Sequence, residues 1–215
     1  MKKTIVRWSA YLLGMLALAF GIVLGSKADL GISPISSVAF CMSEIMGVGF
    51  GSMNFVLYGL FVAAQFALRG RNSRAVDLLQ LVVSVVFSWV LDVFIAIIPY
   101  EGAANGFGMN FLVLLLSVVF IGVGVSASIN VHLIPNPGDG IVQALAEKTG
   151  WEQGFAKNVF DIGCAGVTAM LGLAFFGRLV GIGIGTVVTM LGVGRVVTLH
   201  NRLVMNKLCA AVGIE

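Results

Sequence analysis

The sequence predicts an all-α membrane protein that crosses the bilayer about six times. Hydrophobic residues make up 59% of the chain and charged residues only 11%, whereas soluble globular domains have about 45–50% apolar and about 25% charged residues. Several apolar segments also reach the length of about 20 residues that a helix needs to cross a hydrocarbon core about 30 Å thick. The predicted spans are Trp8–Gly25, Ser52–Leu68, Leu78–Ile98, Phe111–Ile129, Phe155–Phe176 and Leu179–Leu199.

Positive charges flank these spans unevenly, which predicts the orientation of the chain. With six crossings and the N-terminus inside, only Lys27 and Arg178 fall on the outer side, and Lys157 falls within a span. Because cytoplasmic loops carry an excess of Lys and Arg, we expect both termini and the Arg-rich loop in the cytoplasm and Tyr100–Asn110 outside. The cytoplasmic basic residues are Lys2, Lys3, Arg7, Arg69, Arg71, Arg74, Lys148, Arg195, Arg202 and Lys207. They form no basic stripe with interleaved aromatic residues, so nucleic acid is not an expected partner.

The chain is expected to form one membrane domain, residues 1–215, built from an internal repeat. The first copy covers about residues 5–99, the second about 108–200, and a cytoplasmic tail follows at about 200–215. A shift of 103 residues places Pro34 on Pro137, Glu44 on Glu147, Gly47 on Gly150, Gly51 on Gly154 and Val56 on Val159. Since each copy holds three spans, the second must enter the membrane from the opposite side. Such inverted repeats are typical of secondary transporters whose site lies near the middle of the membrane.

Each copy also contains a short helix that begins with a cap residue and proline, at Ser33-Pro34 and Asn136-Pro137. At about 13 residues, or about 20 Å, neither helix can cross the bilayer. Two interpretations stay open: an amphipathic helix lying at the membrane surface, or a re-entrant helix that lines a cavity. We expect the two N-termini to approach one another across a pseudo-twofold axis. The pocket expected between them is lined by Ser36, Ser37, Glu44, Gln143 and Glu147.

Several motifs give the chain a resemblance to a known family. They are Asp29-Leu30-Gly31-Ile32-Ser33-Pro34, Gly51-Ser52, Pro135-Asn136-Pro137-Gly138-Asp139-Gly140, Lys157-Asn158-Val159-Phe160-Asp161 and Gly183-Ile184-Gly185-Thr186. The chain resembles the YczE/YyaS/YitT group of bacterial membrane proteins from about the first helix to Thr198. This resemblance implies a compact bacterial inner-membrane protein. It implies no activity, because that group has none firmly established.

Lys157 and Asp161 lie about one turn into the fifth predicted span. Their i, i+4 spacing places both on one face of a helix, and ionisable residues inside a span are candidates for function. The pair either binds a substrate or coupling ion, or neutralises itself and holds helices together. The 103-residue shift places these two residues on Asn54 and Tyr58, which can form hydrogen bonds but carry no charge. Asn54 and Tyr58 are therefore candidates for the same site, which would be asymmetric.

Other carboxylates have competing interpretations. Glu44 and Glu147 could bind a cation or exchange protons, or simply face interfacial water. Asp139 is also a candidate for substrate binding or ion coupling, but it is expected mainly to complement the helix dipole and cap free N–H groups. Interfacial positions are also expected for Asp77, Gln80 and Asp92. Gly181 and Gly185 form a G-x-x-x-G pattern, which predicts close helix packing either within the chain or between protomers of a homo-oligomer.

These observations favour a small-molecule or ion-coupled permease of unknown substrate. An accessory or biogenesis membrane protein and an intramembrane enzyme are the alternatives. No catalytic or nucleotide-binding motif is present, so we expect no enzyme activity and no cofactor. His132 and His200 lie in separate flanks, without ligands at metal-binding spacing, so no metal is expected. The expected partners are the lipid bilayer and a small polar or charged substrate.

Overall fold

The computed structural model describes residues 2–70, 75–131, 133–205 and 208, which fold into α-helices without a β-strand in these ranges. The all-α prediction is therefore confirmed for them. The helices are α1 Lys2–Lys27, α2 Pro34–Met46, α3 Phe50–Arg69, α4 Leu79–Ile97, α5 Phe107–Asn130, α6 Pro137–Thr149, α7 Gln153–Phe176 and α8 Ile184–His200. Short 3-10 turns lie at Ala75–Leu78 and Gly102–Ala104, and a π-helical turn at Asn201–Met205. Arg71, Arg74, His132, Lys207 and most of the C-terminal tail lie outside the described residues.

Five of the described helices, α1, α3, α4, α5 and α7, are long and apolar enough to cross a membrane. The protein is therefore a multi-pass membrane protein. The sixth span, expected at Leu179–Leu199, differs from the observed helix. Helix α8 begins only at Ile184 and has 17 residues, or about 25 Å of helix, which is shorter than a hydrocarbon core of about 30 Å. The expected count of six crossings is thus not confirmed.

Helix α8 begins late because the chain before it bonds to the connection between α1 and α2. Ile32 N donates to Gly181 O at 3.0 Å, and Gly185 N donates to Leu30 O at 2.6 Å. Gly181 has φ 75°, a left-handed conformation that ends the helical path. It therefore lies before the helix, and the predicted G-x-x-x-G helix face is wrong. Gly185 instead packs against the carbonyl oxygens of Gly31 and Leu30.

The centre of the bundle is a close pair formed by α1 and α5. Gly124 of α5 lies against the backbone of Gly14 and Leu18, where a larger side chain would collide. Ser117 Oγ donates to Gly21 O at 2.7 Å and joins the same two helices. Helix α4 packs beside α1 and α8 beside α5, while α2 packs on α7 and α6 packs on α3.

The outer surface is apolar and the interior holds polar side chains. Trp89 is 68% exposed and Met170 66% exposed, whereas Asn54, Gln65 and Thr168 are buried. Large exposed apolar surfaces are rare on soluble monomers and mark contact with a membrane or partner. This distribution fits a bundle whose outward faces contact lipid.

The two short helices begin where the sequence predicts. Helix α2 starts after Ser33 and α6 after Asn136, each with proline in the first turn. Both end at a left-handed glycine, Gly47 with φ 65° and Gly150 with φ 72°, which is a common way to end a helix. Their N-terminal ends meet, since the side chain of Ile35 lies against Gly138. The structure thereby places these two ends together in the interior of the bundle.

Candidate functional site

A cavity of about 320 Å³ lies where the N-terminal ends of α2 and α6 meet. Its volume is at the lower end of the range of about 300–1,000 Å³ found for ligand pockets. Helices α1, α3, α5, α7 and α8 complete its wall. The polar part of the wall consists of Ser33, Ser36, Tyr58, Asn136, Asp139, Lys157, Asn158, Asp161 and Thr189.

The charged part of this wall contains one ammonium group and two carboxyl groups. Lys157 Nζ lies 3.2 Å from Asp161 Oδ2, one helical turn away. The side chain of Asp161 is only 6% exposed, whereas that of Lys157 is 44% exposed. Asp139 lies close enough to interact electrostatically with both groups. The sequence-predicted pair is therefore part of a three-residue charged cluster in the cavity.

Asp139 lies in the first turn of α6, where it complements the helix dipole as expected, but it does not provide the side-chain cap. Asn136 takes the capping role, because its Oδ1 accepts from Gly138 N at 3.0 Å. Asparagine is among the preferred residues at the N-cap position. The carboxyl group of Asp139 is left to line the cavity.

Two buried amide side chains near the cavity have polar atoms without a hydrogen-bond partner among the described residues. Asn136 is 4% exposed and Asn54 is fully buried. Neither Asn136 Nδ2 nor the two polar atoms of Asn54 bonds to any residue that the structure describes. The hydroxyl group of Tyr58 lies close enough to both amides to interact with them electrostatically, but it does not reach hydrogen-bonding geometry with Asn136 Nδ2 or with either polar atom of Asn54. Since buried polar groups normally have partners, these side chains indicate a place where a polar ligand or water completes the network.

Four of the five residues expected to line the pocket lie elsewhere, and only Ser36 lines it. Ser37 Oγ is buried between Pro34 O and Thr168 Oγ1, at 2.7 and 2.9 Å. The other three, Glu44, Gln143 and Glu147, are exposed. That part of the prediction is wrong because Glu44 and Glu147 lie toward the C-terminal ends of helices whose N-terminal ends form the cavity. Gln143 lies in the middle of α6, on its exposed face.

Glu147 instead joins α6 to α3 through Arg69, with Arg69 Nε 2.9 Å from Glu147 Oε2. Arg69 Nη1 also lies 3.3 Å from Asp77 Oδ2, so this arginine connects three segments. The side chains of Arg69 and Asp77 are largely buried, whereas half of the Glu147 side chain is exposed. The geometry is that of an ion pair at the edge of the bundle.

Two further polar residues have structural roles that differ from their expected interfacial positions. Asp92 Oδ1 accepts from Gly51 N at 2.8 Å and so fixes the start of α3. Gln80 is fully buried, and its amide exchanges two hydrogen bonds of 3.1 Å with Gln65. Gln65 Nε2 also lies 3.3 Å from Pro137 O, which attaches α6 to α3.

Sequence reasoning missed the apolar part of the cavity wall. Leu18 and Ile22 of α1 line the cavity together with Ile121 and Val125 of α5. A signal was present, because the 103-residue shift places Leu18 on Ile121 and Ile22 on Val125. It was inconspicuous because such apolar pairs are common by chance in a chain that is 59% hydrophobic.

Comparison with known proteins places this architecture in a family. The chain is similar to the uncharacterized membrane protein YczE of Bacillus subtilis (strain 168), with 28% identity over 189 residues, which cover 87% of this chain and 82% of that protein. No solved structure matches. The expected YczE-like membrane family is thus confirmed. A family model matches residues 5–202, and the chain accordingly belongs to DUF6198, a family of unknown function.

Proposed function

We propose that the protein is a small-molecule or ion-coupled permease of the bacterial inner membrane, with cytoplasmic termini and its substrate site in the central cavity. The observation that carries this proposal is the symmetry of the cavity wall. Many of its residues come in pairs related by the same 103-residue shift that aligns the two Pro-led helices. The pairs are Leu18 and Ile121, Ile22 and Val125, Ser33 and Asn136, Ile35 and Gly138, Ser36 and Asp139, and Tyr58 and Asp161.

Helix contacts away from the cavity follow the same shift. Ser37 of α2 bonds to Thr168 of α7, while Gly140 of α6 lies against Gln65 of α3. The shift of 103 residues aligns Ser37 with Gly140 and Gln65 with Thr168. The two contacts therefore lie at equivalent positions of the two repeats. Reciprocal packing of this kind supports two inverted halves related by a pseudo-twofold axis through the cavity. In transporters with inverted repeats, the substrate binds at such an interface.

The path of the short helices supports the re-entrant interpretation over the surface-lying one. Helix α6 runs from the cavity at Asn136 to the Arg69 end of α3. Helix α2 runs from the cavity at Pro34 to the opposite, N-terminal end of α3, where Phe40 packs edge-on against Phe50. Two half-length helices that begin together and end at opposite ends of a spanning helix resemble the discontinuous helices of many transporters.

The two halves also differ in conformation, which alternating access requires. Thr189 and Val193 of α8 line the cavity, whereas their equivalents in α4, Val86 and Val90, do not. Helix α3 packs along α4, but α7 does not pack along α8 in the same way. Exchange of the two arrangements would open the cavity first to one side of the membrane and then to the other.

The test is uptake by the purified protein in proteoliposomes. A panel of labelled amino acids, organic cations, organic anions and sugars is offered with and without a proton gradient. We expect uptake of at least one solute class and its loss in Asp139→Asn, while Glu147→Gln transports normally because Glu147 is outside the cavity. If no solute enters under either condition, the permease proposal fails and an accessory role becomes the better account.

A further inference from the structure

We infer that the cavity binds a small zwitterion of the amino-carboxylate class. Its carboxylate would lie at the N-terminus of α2 and on Asn136, and its ammonium group on Asp139. This inference rests on the proposed function, because it takes the cavity as the site of the transported molecule.

The carboxylate half of the site consists of donors without partners. No side chain of the described residues caps α2, because Ser33 Oγ donates to Ser36 Oγ at 2.9 Å instead of accepting from the backbone. Pro34 has no N–H group, so the backbone N–H groups of Ile35 and Ser36 are the free donors of the first turn. Both residues line the cavity. A helix N-terminus of this kind attracts anions through its N–H groups and its dipole.

Asn136 supplies an independent donor on the same cavity. Its Oδ1 accepts from Gly138 N, which assigns the other amide atom as nitrogen. That Nδ2 has no partner among the described residues, although the side chain is only 4% exposed. Leaving a buried donor unsatisfied is unfavourable. A carboxylate oxygen in the cavity would satisfy it together with the start of α2.

The ammonium half of the site is the carboxyl group of Asp139. Lys157 lies against Asp161 at 3.2 Å and so offsets the charge of that carboxylate. Asp139 forms no salt bridge or hydrogen bond with a described group and interacts with Lys157 only at longer range. The two carboxyl groups of the cavity therefore share one ammonium group. An anionic ligand alone would not offset the excess negative charge, and a cationic ligand alone would leave the donors of Asn136 and α2 unsatisfied. A molecule that carries both groups satisfies all of them.

The carboxylate half and the ammonium half of the site are adjacent, which limits the distance between the two charged groups of the ligand. Ile35 lies against Gly138, and the next residues along the chain are Ser36 and Asp139. The ligand's two charged groups must therefore be close together, as in an α-amino acid. The opposite wall is apolar, with Leu18, Ile22, Ile121 and Val125. This composition favours an amino acid with a neutral, apolar side chain.

The inference is tested by direct binding to the purified full-length chain in detergent or nanodiscs, measured by calorimetry. The probes are glycine, alanine, valine, leucine and phenylalanine, each compared with the amine that lacks its carboxylate and the acid that lacks its amino group. We expect the best amino acid to bind at least about 10-fold more tightly than either counterpart. Absence of binding by all five amino acids, or equal binding of an amine or acid counterpart, would overturn the inference.

Two substitutions test which residue binds the carboxylate of the ligand and which binds its ammonium group. Asp139→Asn should weaken amino-acid binding at least about 10-fold while leaving binding of the matching acid unchanged or tighter. Asn136→Asp keeps the oxygen that caps α6 but replaces the free donor with an acceptor, so it should weaken binding of both the amino acid and the acid. Glu147→Gln is the matched control, with unchanged binding. If both cavity variants fail to fold, the amine and acid counterparts are tested as competitors of the amino acid bound to the unmodified protein. Weak competition by both supports the inference, and competition by either one as strong as that of the amino acid contradicts it.

The outcomes separate this inference from the proposed function. Uptake of a solute that is not a zwitterion would overturn the ligand assignment while leaving the permease intact. Binding of an amino acid without any uptake would support the site and contradict the permease.

Discussion

Among the described residues that line the cavity, Asp161 is the carboxylate that forms a direct ion pair, and removing its charge breaks that pair. The Asp161→Asn variant leaves the Lys157 ammonium without its partner at 3.2 Å. Breaking a fully buried ion pair costs about 3–5 kcal/mol, and an exposed pair contributes only about 0–1 kcal/mol. Asp161 is 6% exposed but Lys157 is 44% exposed, so the ammonium keeps access to water in the cavity. We therefore expect the free energy of unfolding to fall by an intermediate amount, about 1–3 kcal/mol.

Removing both charges separates a structural from a functional role. The double variant Lys157→Met with Asp161→Asn leaves no uncompensated charge from the pair, so its stability should return close to that of the unmodified protein. We nevertheless expect it to transport no solute, because two of the three charged residues that would interact with the solute are lost. Thermal melting in detergent and uptake into proteoliposomes are measured on the same preparations.

The control for this experiment is a pair outside the cavity. Glu147→Gln removes the charge of one of the two carboxylate partners of Arg69. Since half of the Glu147 side chain is exposed, the loss of stability should be less than about 1 kcal/mol. Its uptake should be unchanged. If the double cavity variant both melts and transports like the unmodified protein, Lys157 and Asp161 have no part in the site.

Three further predictions follow from topology and packing. In a background without native cysteines, single cysteines at Asn72 and Asn105 should react with a membrane-impermeant reagent from opposite sides, and labelling from the same side would contradict the orientation. Gly185→Val should strongly reduce the melting temperature, because the added side chain would collide with backbone carbonyl oxygens, whereas Gly163→Ala, which meets no neighbour within 4 Å, should not. Asp92→Ala should cost about 1 kcal/mol in thermal or denaturant unfolding, since the start of α3 loses an acceptor. Asp92→Asn, which keeps an oxygen, should cost less, and equal losses would argue against that role.

The helical fold could be predicted from the sequence because hydropathy and segment length are set by the bilayer. The starts of α2 and α6 could also be predicted, because Pro34 and Pro137 with their cap residues mark them directly. The start of α8 could not be predicted, because it depends on hydrogen bonds between Gly181 and Ile32, which are far apart in the sequence. Local periodicity contains no information about such a contact.

The site could be predicted only in part. The expectation that the short helices meet at their N-termini placed Ser36 at the cavity, but the same geometry excludes Glu44 and Glu147. Each glutamate follows the first proline of its helix by ten residues, or about 15 Å along the axis, so it cannot lie at the end that forms the cavity. Asp139 was a candidate, but the sequence favoured a structural role for it, because a carboxylate in the first turn usually complements the dipole and caps free N–H groups. Here Asn136 already provides the cap.

The central claim is that the cavity is a transport site that opens in turn to both sides of the membrane. Its most direct test is a single cysteine at Val193, which lines the cavity, in a background where the three native cysteines are replaced. A cysteine at Val187, which is 55% exposed on the outer surface of α8, is the control. A membrane-impermeant thiol reagent is added to vesicles of known orientation from either side. The account predicts that the cysteine at position 193 reacts from both sides and that the one at position 187, in lipid, reacts from neither. Reaction of the position-193 cysteine from one side only, under every condition of solute and proton gradient, would contradict it.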